Sequence, residues 1–430
     1  MNDTADKSET ANPMFILHTQ MLFVPSQNRS VDILIDHIFD DDDFKTVLRE
    51  RLNSVGSQLA DQDAFLDFCE QLLPEAAADP VAQAQRLTDF KNTRDDIDDR
   101  FNPNKKPNPE AVWWPDPTHG GKPLHEVLPL GARYPFIDQS TVIGSAGSCF
   151  AVEIAQNLIR RGFNYLCLET TYDPETGTMM AESDPDNPAV QFSCRWGILF
   201  NTPSFTQIVE NAFGEKNIGN FLINVGSAYM DPYREAVAFP TLEAYAAERE
   251  KHLANTRAVF EQAEVFVITL GLNEAWQYLP DETYISRNPR NQNMRGLLTH
   301  RKLTVQENID HLQRFIDIVR HHNPNLKLII SVSPVPFMAT GRADKHHVIT
   351  ANTHSKAVLR VAAEEIVERN KDVFYFPSYE VVTVCSKEIW TEDQRHIHPS
   401  AVARVMDLFD EMFLTRAAKN LEKLQAAEGA

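Results

Sequence analysis

From about residue 140 the chain changes rhythm, and that change constrains its fold more than any other feature. Strand-length apolar runs begin to alternate with helix-length amphipathic stretches. Residues 141–145 read as a short buried strand and residues 151–161 as the amphipathic helix after it. Residues 265–271, VFVITLG, form a strand-length run rich in β-branched residues. Thr304 and Glu307 have capping-box spacing and open a helix to about residue 321. Residues 326–335 read as another buried strand, broken by Pro334 and Pro336. A helix over 350–370, a strand over 373–376 and a helix over 400–414 complete the series. This alternation means βαβ units, hence a doubly wound, mostly parallel sheet in a three-layer α/β sandwich. Such sheets bind ligands at the carboxyl ends of their strands. The places to inspect are therefore just after Ser145, Leu270 and Val332, and the loop before Ser400.

The first third is different. Residues 1–12 read as a disordered tail. Residues 13–130 read as an acidic helical region followed by a Pro-rich linker, and residues 131–415 as the α/β domain. Residues 416–430 read as a C-terminal helical tail. Phe44, Val47 and Leu48, then Leu59, Phe65, Phe68, Leu72 and Leu73, recur at helical spacing. Asp40 to Asp43 read as carboxylates placed at a helix start, where they complement the macrodipole. Residues 102–135 carry many prolines and Gly120-Gly121. They read as a linker, or as a strap over the next domain that Trp113 and Trp114 would pin.

The 430 residues carry 41 basic and 61 acidic side chains, a net charge of −20. A field of that sign repels phosphate backbones and anionic lipid surfaces, so no nucleic-acid partner is expected. No apolar run approaches the roughly 18 residues that a membrane span requires. The polar N-terminus lacks the basic and apolar regions of a signal peptide, and a cytoplasmic location is the expectation. The five cysteines form no CxxC pair, so neither a disulfide framework nor a structural zinc site is expected. No Gly-rich phosphate loop is present and no cofactor is expected.

Three strand ends carry chemistry. The first runs Ser145-Ala-Gly147-Ser148-Cys149-Phe150 into a helix. A thiol at a helix N-terminus gains from the dipole and from free N–H groups; a tight turn holding a buried cysteine is the plainer alternative. The second is Gly271-Leu-Asn273-Glu274, where the Asn273 amide is a suitable oxyanion donor, although Gly-x-Asn is also an ordinary turn. The third is the loop 390–400, with Glu392, Asp393, Arg395, His396 and His398 before Pro399-Ser400. A histidine here can serve as general base. His396 and His398 could also form a metal pair with Asp344, His346 or His347, but no third ligand is evident and no metal is expected.

In this order the segments resemble the GSCFA family of the SGNH hydrolase-like superfamily. The sequence Gly147-Ser148-Cys149-Phe150-Ala151 reproduces the family motif letter for letter. Residues 197–204, 271–274, 333–335 with 354–359, and 375–380 leading into His398-Pro-Ser400 are similar to its further blocks. The resemblance covers about residues 135–412. It implies a flavodoxin-like sheet and a nucleophile after the first strand. Where SGNH enzymes carry Gly-Asp-Ser, this chain aligns Cys149 with the serine, with Ser148 as the competitor. It implies an oxyanion hole from the Cys149 and Gly197 backbone N–H groups and the Asn273 amide. The His-Pro-Ser signature selects His398, yet the position three residues earlier, an Asp in SGNH enzymes, is Arg395. A literal Asp-x-x-His selects Asp393 and His396 instead. A Cys–His pair depends less on that acid than a Ser–His pair does.

The implied activity is that of an esterase or O-acyltransferase acting through an acyl-enzyme on a small-molecule or carbohydrate substrate. The alternative is a catalytically inactive binding or scaffold protein on the same fold, which the Asp-to-Arg departure at 395 favours. A protein partner docking through the N-terminal helices is compatible with either.

Overall fold

A computed structural model describes residues 29–55, 62–101, 114–181, 183–219, 221–234, 236–285 and 294–419. The expected tail at 1–12 and residues 420–430 of the expected C-terminal helical tail lie outside these residues. The chain divides into two units, Met1–Trp114 and Pro115–Ala430.

The first unit contains helices α1 (Arg29–Ile38), α2 (Asp42–Val55), α3 (Gln62–Ala76) and α4 (Pro80–Phe101). Ile35, Phe39, Phe44, Leu48, Phe65 and Leu72 meet in one apolar core. Within the four-Asp run, Asp41 does the capping. One of its carboxylate oxygens accepts from Phe44 N at 2.9 Å and the other from Ala78 N at 2.9 Å. The Phe44 N–H is one of the orphan donors of the first turn of α2, and the Ala78 N–H lies in the connection between α3 and α4.

The second unit is built on a parallel sheet of β1 (Ile143–Gly147), β6 (Val265–Leu270), β10 (Lys327–Val332) and β11 (Val373–Phe376), in the order β1-β6-β10-β11. A bridge from Ile143 to Tyr165 adds a fifth parallel segment on the free edge of β1. Counting that segment second along the chain gives the order 2-1-3-4-5, the flavodoxin-like doubly wound arrangement. The two-residue period of the strands splits the core into two layers. Phe266, Ile268, Leu328 and Ile330 face one layer. It is covered by α6 (Thr202–Ala212), α7 (Leu242–Gln262), α8 (Val305–His322) and α9 (Val348–Arg369). Val265, Val267, Ile329 and Phe376 face the other, under α5 (Cys149–Arg160) and α11 (Pro399–Phe413). Each such side chain, fully buried, contributes about 1.5–3 kcal/mol. The capping box at Thr304 and Glu307 is present and opens α8.

Two smaller antiparallel sheets were not legible in advance. The strands β2 (Met179–Met180), β3 (Ile223–Asn224), β4 (Tyr229–Met230) and β5 (Val237–Phe239) pair in the order β2-β5-β4-β3. A second sheet, β8-β7-β9, joins β7 (Glu274–Tyr278), β8 (Thr283–Ile285) and β9 (Leu298–Lys302). The short helix α10 (Ser378–Thr383) follows β11.

Residues 115–136 belong to the second unit, so this stretch is a strap and not a free linker. Leu128, Leu130 and Phe136 pack on the core layer under α11. Tyr134 N and Phe136 N donate to Met412 O and Phe413 O at 2.6 and 3.0 Å. These apolar groups pin the strap; Trp114 is exposed, and Trp113 lies outside the described residues. No described helix is long and apolar enough to cross a membrane.

Candidate active site at the strand ends

The end of β1 is forced into shape by a close approach to β6. A Cβ on Gly147, whose φ is 155°, would stand 2.7 Å from Thr269 O, so only glycine fits there. The chain then turns at Ser148, the N-cap of α5, and Cys149 is the first helical residue. This partly exposed thiol sits where the helix presents its unsatisfied N–H groups.

A second segment crosses above. Gly197 makes a left-handed turn at φ 71°. Leu199 N then donates to Gly147 O at 2.9 Å, while Phe200 O accepts from Gly271 N and Leu272 N at 3.1 and 2.6 Å. Residues 197–201 therefore lie across the ends of both β1 and β6. Asn201 closes the segment as the N-cap of α6, accepting from Ser204 N at 3.2 Å. Beside it, Gly271 lies close against Ser148: a Cβ there would meet Ser148 Cβ at 3.5 Å.

The polar groups here are left without partners. Nine buried side-chain N or O atoms among the described residues have no hydrogen bond, and four of them belong to this one place. They are Ser148 Oγ, Asn201 Nδ2, Thr269 Oγ1 and Asn273 Oδ1. Orphaned polar atoms are costly and uncommon in folded proteins, and a cluster of them calls for a functional explanation. Asn273 is fully buried; its amide donates to Leu303 O at 3.0 Å and its backbone N–H to Ser355 Oγ at 2.9 Å. Its orphan atom is an acceptor. The orphan donor is Asn201 Nδ2; it lies in the 197–204 block, from which the sequence alone singled out Gly197.

Beneath the loop lies Lys356, 1 % exposed, donating to Gly271 O at 2.8 Å and Val335 O at 2.9 Å. Burial pushes its amine down to about 7, and the charge of Cys149 acts in the opposite direction. The signal for Lys356 was its place on the apolar stripe of α9, one residue after Ser355 and three before Leu359.

The two histidines differ. His398 is the N-cap of α11: its Nδ1 accepts from Ser400 N at 3.3 Å and lies 2.7 Å from Ser400 Oγ. The nearest carboxylate is Glu388, 3.6 Å away, and not Asp393 or Glu392. His396 is more exposed and pairs with Asp393 at 2.5 Å. Hydrogen bonds from His396 N, Thr391 Oγ1 and Arg395 N hold the Asp393 carboxyl well below the usual range. No described hydrogen bond or ion pair joins either histidine to Cys149 or Ser148. Asp344, His346 and His347 do not gather with the histidines into a ligand set; among the described residues one group of three ligand-type side chains converges, Glu169, Glu248 and His252.

That group is already saturated. Arg195 and Arg234 bind both oxygens of Glu248 at 2.7–2.8 Å. Glu169 accepts from Arg195 N at 2.9 Å and Asn255 at 2.9 Å, and pairs with His252 at 2.7 Å. Burial alone would raise the Glu169 carboxyl, but His252, Arg234 and the Arg195 N–H hold it well below its usual value. Two arginines balance two glutamates, leaving no call for a cation. The adjoining cavity is lined by Asp231, Arg234, Arg249 and His252. Of the aromatic residues after Asn273, Trp276 packs edge-on against His300 and Tyr278 against Phe221. Cys194 and Arg195 before Gly197 are buried, the latter in the ion network.

A doubly wound α/β unit whose first strand delivers a cysteine to a helix start defines the class. The chain belongs to the GSCFA family, whose model matches residues 142–409. None of the curated proteins matches it. Among solved structures it is similar to the family 3 carbohydrate esterase of Clostridium thermocellum, at 11 % identity and a TM-score of 0.28, covering 67 % of this chain and 99 % of that one. A family 3 carbohydrate esterase from Talaromyces cellulolyticus is similar at 10 % identity and a TM-score of 0.27, with 63 % and 94 % covered. The fold assignment itself rests on the strand order of this chain.

Proposed function

We propose that this chain is an acyl-transfer enzyme, an esterase or O-acyltransferase, with Cys149 as nucleophile. The observation that carries the reading is the cluster of orphaned polar atoms around a partly exposed cysteine at a helix N-terminus. Cys149 attacks an ester or thioester carbonyl and forms an acyl-enzyme. The carbonyl oxygen, as it gains charge, takes hydrogen bonds from the Cys149 and Gly197 backbone N–H groups and from the Asn273 amide, with Asn201 Nδ2 as a further donor. His398, with Glu388 beside it, takes the Cys149 proton as general base and gives it to the leaving group; it then takes a proton from water or an acceptor hydroxyl and returns it to the Cys149 sulfur as the acyl group departs. Ser148 is the competing nucleophile, and Asp393 with His396 the competing acid–base pair. Water as acceptor makes the enzyme an esterase; a sugar hydroxyl makes it an O-acyltransferase.

The second reading, a binding protein on this fold, is favoured by the lack of a described hydrogen bond between either histidine and Cys149. Catalytic hydrogen bonds often tighten only when substrate is bound, so that observation weighs less than the orphan cluster. Intact-protein mass spectrometry after exposure to short acyl esters and acyl thioesters separates the two. An acyl adduct is expected on the wild type, absent from Cys149→Ala and slowed in His398→Ala. Loss with Ser148→Ala alone would move the nucleophile by one residue. No adduct on a folded wild type would support the binding protein.

A further inference from the structure

We propose that the cavity enclosed by α6, α7 and the turn after β4 is a binding site for a neutral polyol, such as a single sugar unit. It adjoins the Glu248 network but differs from it in one respect: two opposite charges on its walls are left without a charged partner. Asp231 is 4 % exposed and lines the cavity. One of its carboxylate oxygens accepts from Tyr233 N at 2.9 Å. No described hydrogen bond reaches the other oxygen, and no described ion pair involves this residue. Burying a carboxylate without a cationic partner is costly, and burial pushes this carboxyl up from its ordinary value. Arg249 lines the same cavity. Its guanidinium is held by neutral oxygens, Tyr245 Oη at 3.2 Å, Asn217 Oδ1 at 3.0 Å and Ile218 O, and its Nε–H has no described acceptor. His252 spends Nδ1 on Glu169 at 2.7 Å, and its Nε2 has no described partner.

This pattern selects the ligand. An anion would face the Asp231 carboxylate, and a cation would face the Arg249 guanidinium. A hydroxyl donates and accepts at once, so the hydroxyls of a polyol can donate to Asp231 and accept from Arg249 without adding charge. The remaining walls suit the carbon skeleton of a sugar. Ile208 and Leu253 are apolar, and Tyr245 turns its hydroxyl away to donate to Gly219 O at 2.7 Å. The Gln207 amide is already spent on Tyr284 N and O, both at 2.7 Å. The site stands apart from the orphan cluster at the strand ends but shares a wall with it. Ser204 lines the cavity and binds Asn201 Oδ1 through its N–H and its hydroxyl at 3.2 and 3.0 Å.

Ligand-observed saturation-transfer NMR on the full chain tests this, with glucose, galactose and glycerol as probes and acetate and methylammonium as charged controls. Saturation is expected to pass to at least one polyol and to neither control. Titration of that polyol should give a Kd about tenfold or more higher for Asp231→Asn, the loss of one hydrogen bond to a charged group. No transfer to any polyol would overturn the proposal, and stronger transfer to acetate or methylammonium would overturn the choice of a neutral ligand. An unchanged Kd in Asp231→Asn would place the polyol elsewhere on the surface and overturn the site. Should Asp231→Asn fail to fold, Leu253→Trp decides: it fills the cavity and removes none of its polar groups, so polyol binding must be lost, and binding retained at the wild-type Kd would overturn the site. The measurement uses no acyl donor and leaves Cys149 untouched, so its outcome is independent of the acyl-transfer reading.

Discussion

The α/β unit holds two concentrations of buried polar groups, and they are built on opposite principles. Around Glu248 and Glu169, each carboxylate oxygen meets a guanidinium, an imidazole, an amide or a backbone N–H. At the ends of β1 and β6, four buried side-chain polar atoms among the described residues have no hydrogen-bond partner. The first place has more charge and more ligand-type side chains, yet every oxygen of its two glutamates is already hydrogen-bonded. The second has one thiol, one lysine and a set of unsatisfied amides and hydroxyls. Unspent hydrogen-bonding capacity, more than density of charge, marks where chemistry can occur.

The comparison can be broken at either place. Glu248→Ala should be the most damaging change to stability, because it strands two buried guanidinium groups. A loss of about 3–5 kcal/mol is expected in urea unfolding; a loss under about 1 kcal/mol would show that the network is not the staple described here. At the strand ends Asn201→Asp keeps the cap acceptor and removes the orphan donor. The acylation rate should fall roughly 10²–10³-fold, the effect of losing one oxyanion donor, and an unchanged rate would remove Asn201 from the oxyanion hole.

The acid response sharpens the contrast further. Burial opposes ionisation of Glu248, but Arg234 and its hydrogen bonds outweigh it and hold the carboxyl below its ordinary value of 4.5. The unfolded chain therefore binds this proton first as pH falls. The stabilisation is present in full above about pH 4.5 and is lost as pH falls through the folded value. Urea unfolding followed from pH 7 to pH 3 should show stability falling as this group is protonated, and Glu248→Gln should flatten that fall. A slope identical in the variant would assign acid sensitivity elsewhere. The smallest effect belongs to Ser148→Ala. Removing a buried hydroxyl that has no partner should leave stability within about 0.5 kcal/mol of wild type or raise it. A loss above about 1 kcal/mol would mean that Ser148 Oγ is bonded in solution.

Much of the frame was legible because periodicity reports burial. The run VFVITL is β6, the Thr304 and Glu307 spacing is a working capping box, and Gly-Ser-Cys does stand between a strand and a helix. The small antiparallel ladders escaped because two or three residues cannot display an alternation. Asn201 and Lys356 escaped for another reason. Their importance lies in what the fold withholds from them, a hydrogen-bond partner in one case and a carboxylate in the other, and sequence spacing carries no record of that. Glu388 lies near His398 because the chain folds back, with His398 N donating to Ile389 O.

The most direct test joins both places in one experiment. Wild type and Glu248→Gln, each at a temperature where it is folded, would be exposed to an acyl thioester and the adduct mapped by peptide. The account predicts acylation at Cys149 in both, at similar rates per folded molecule. An adduct on another residue, or acylation of Cys149 that vanishes in folded Glu248→Gln, would contradict it.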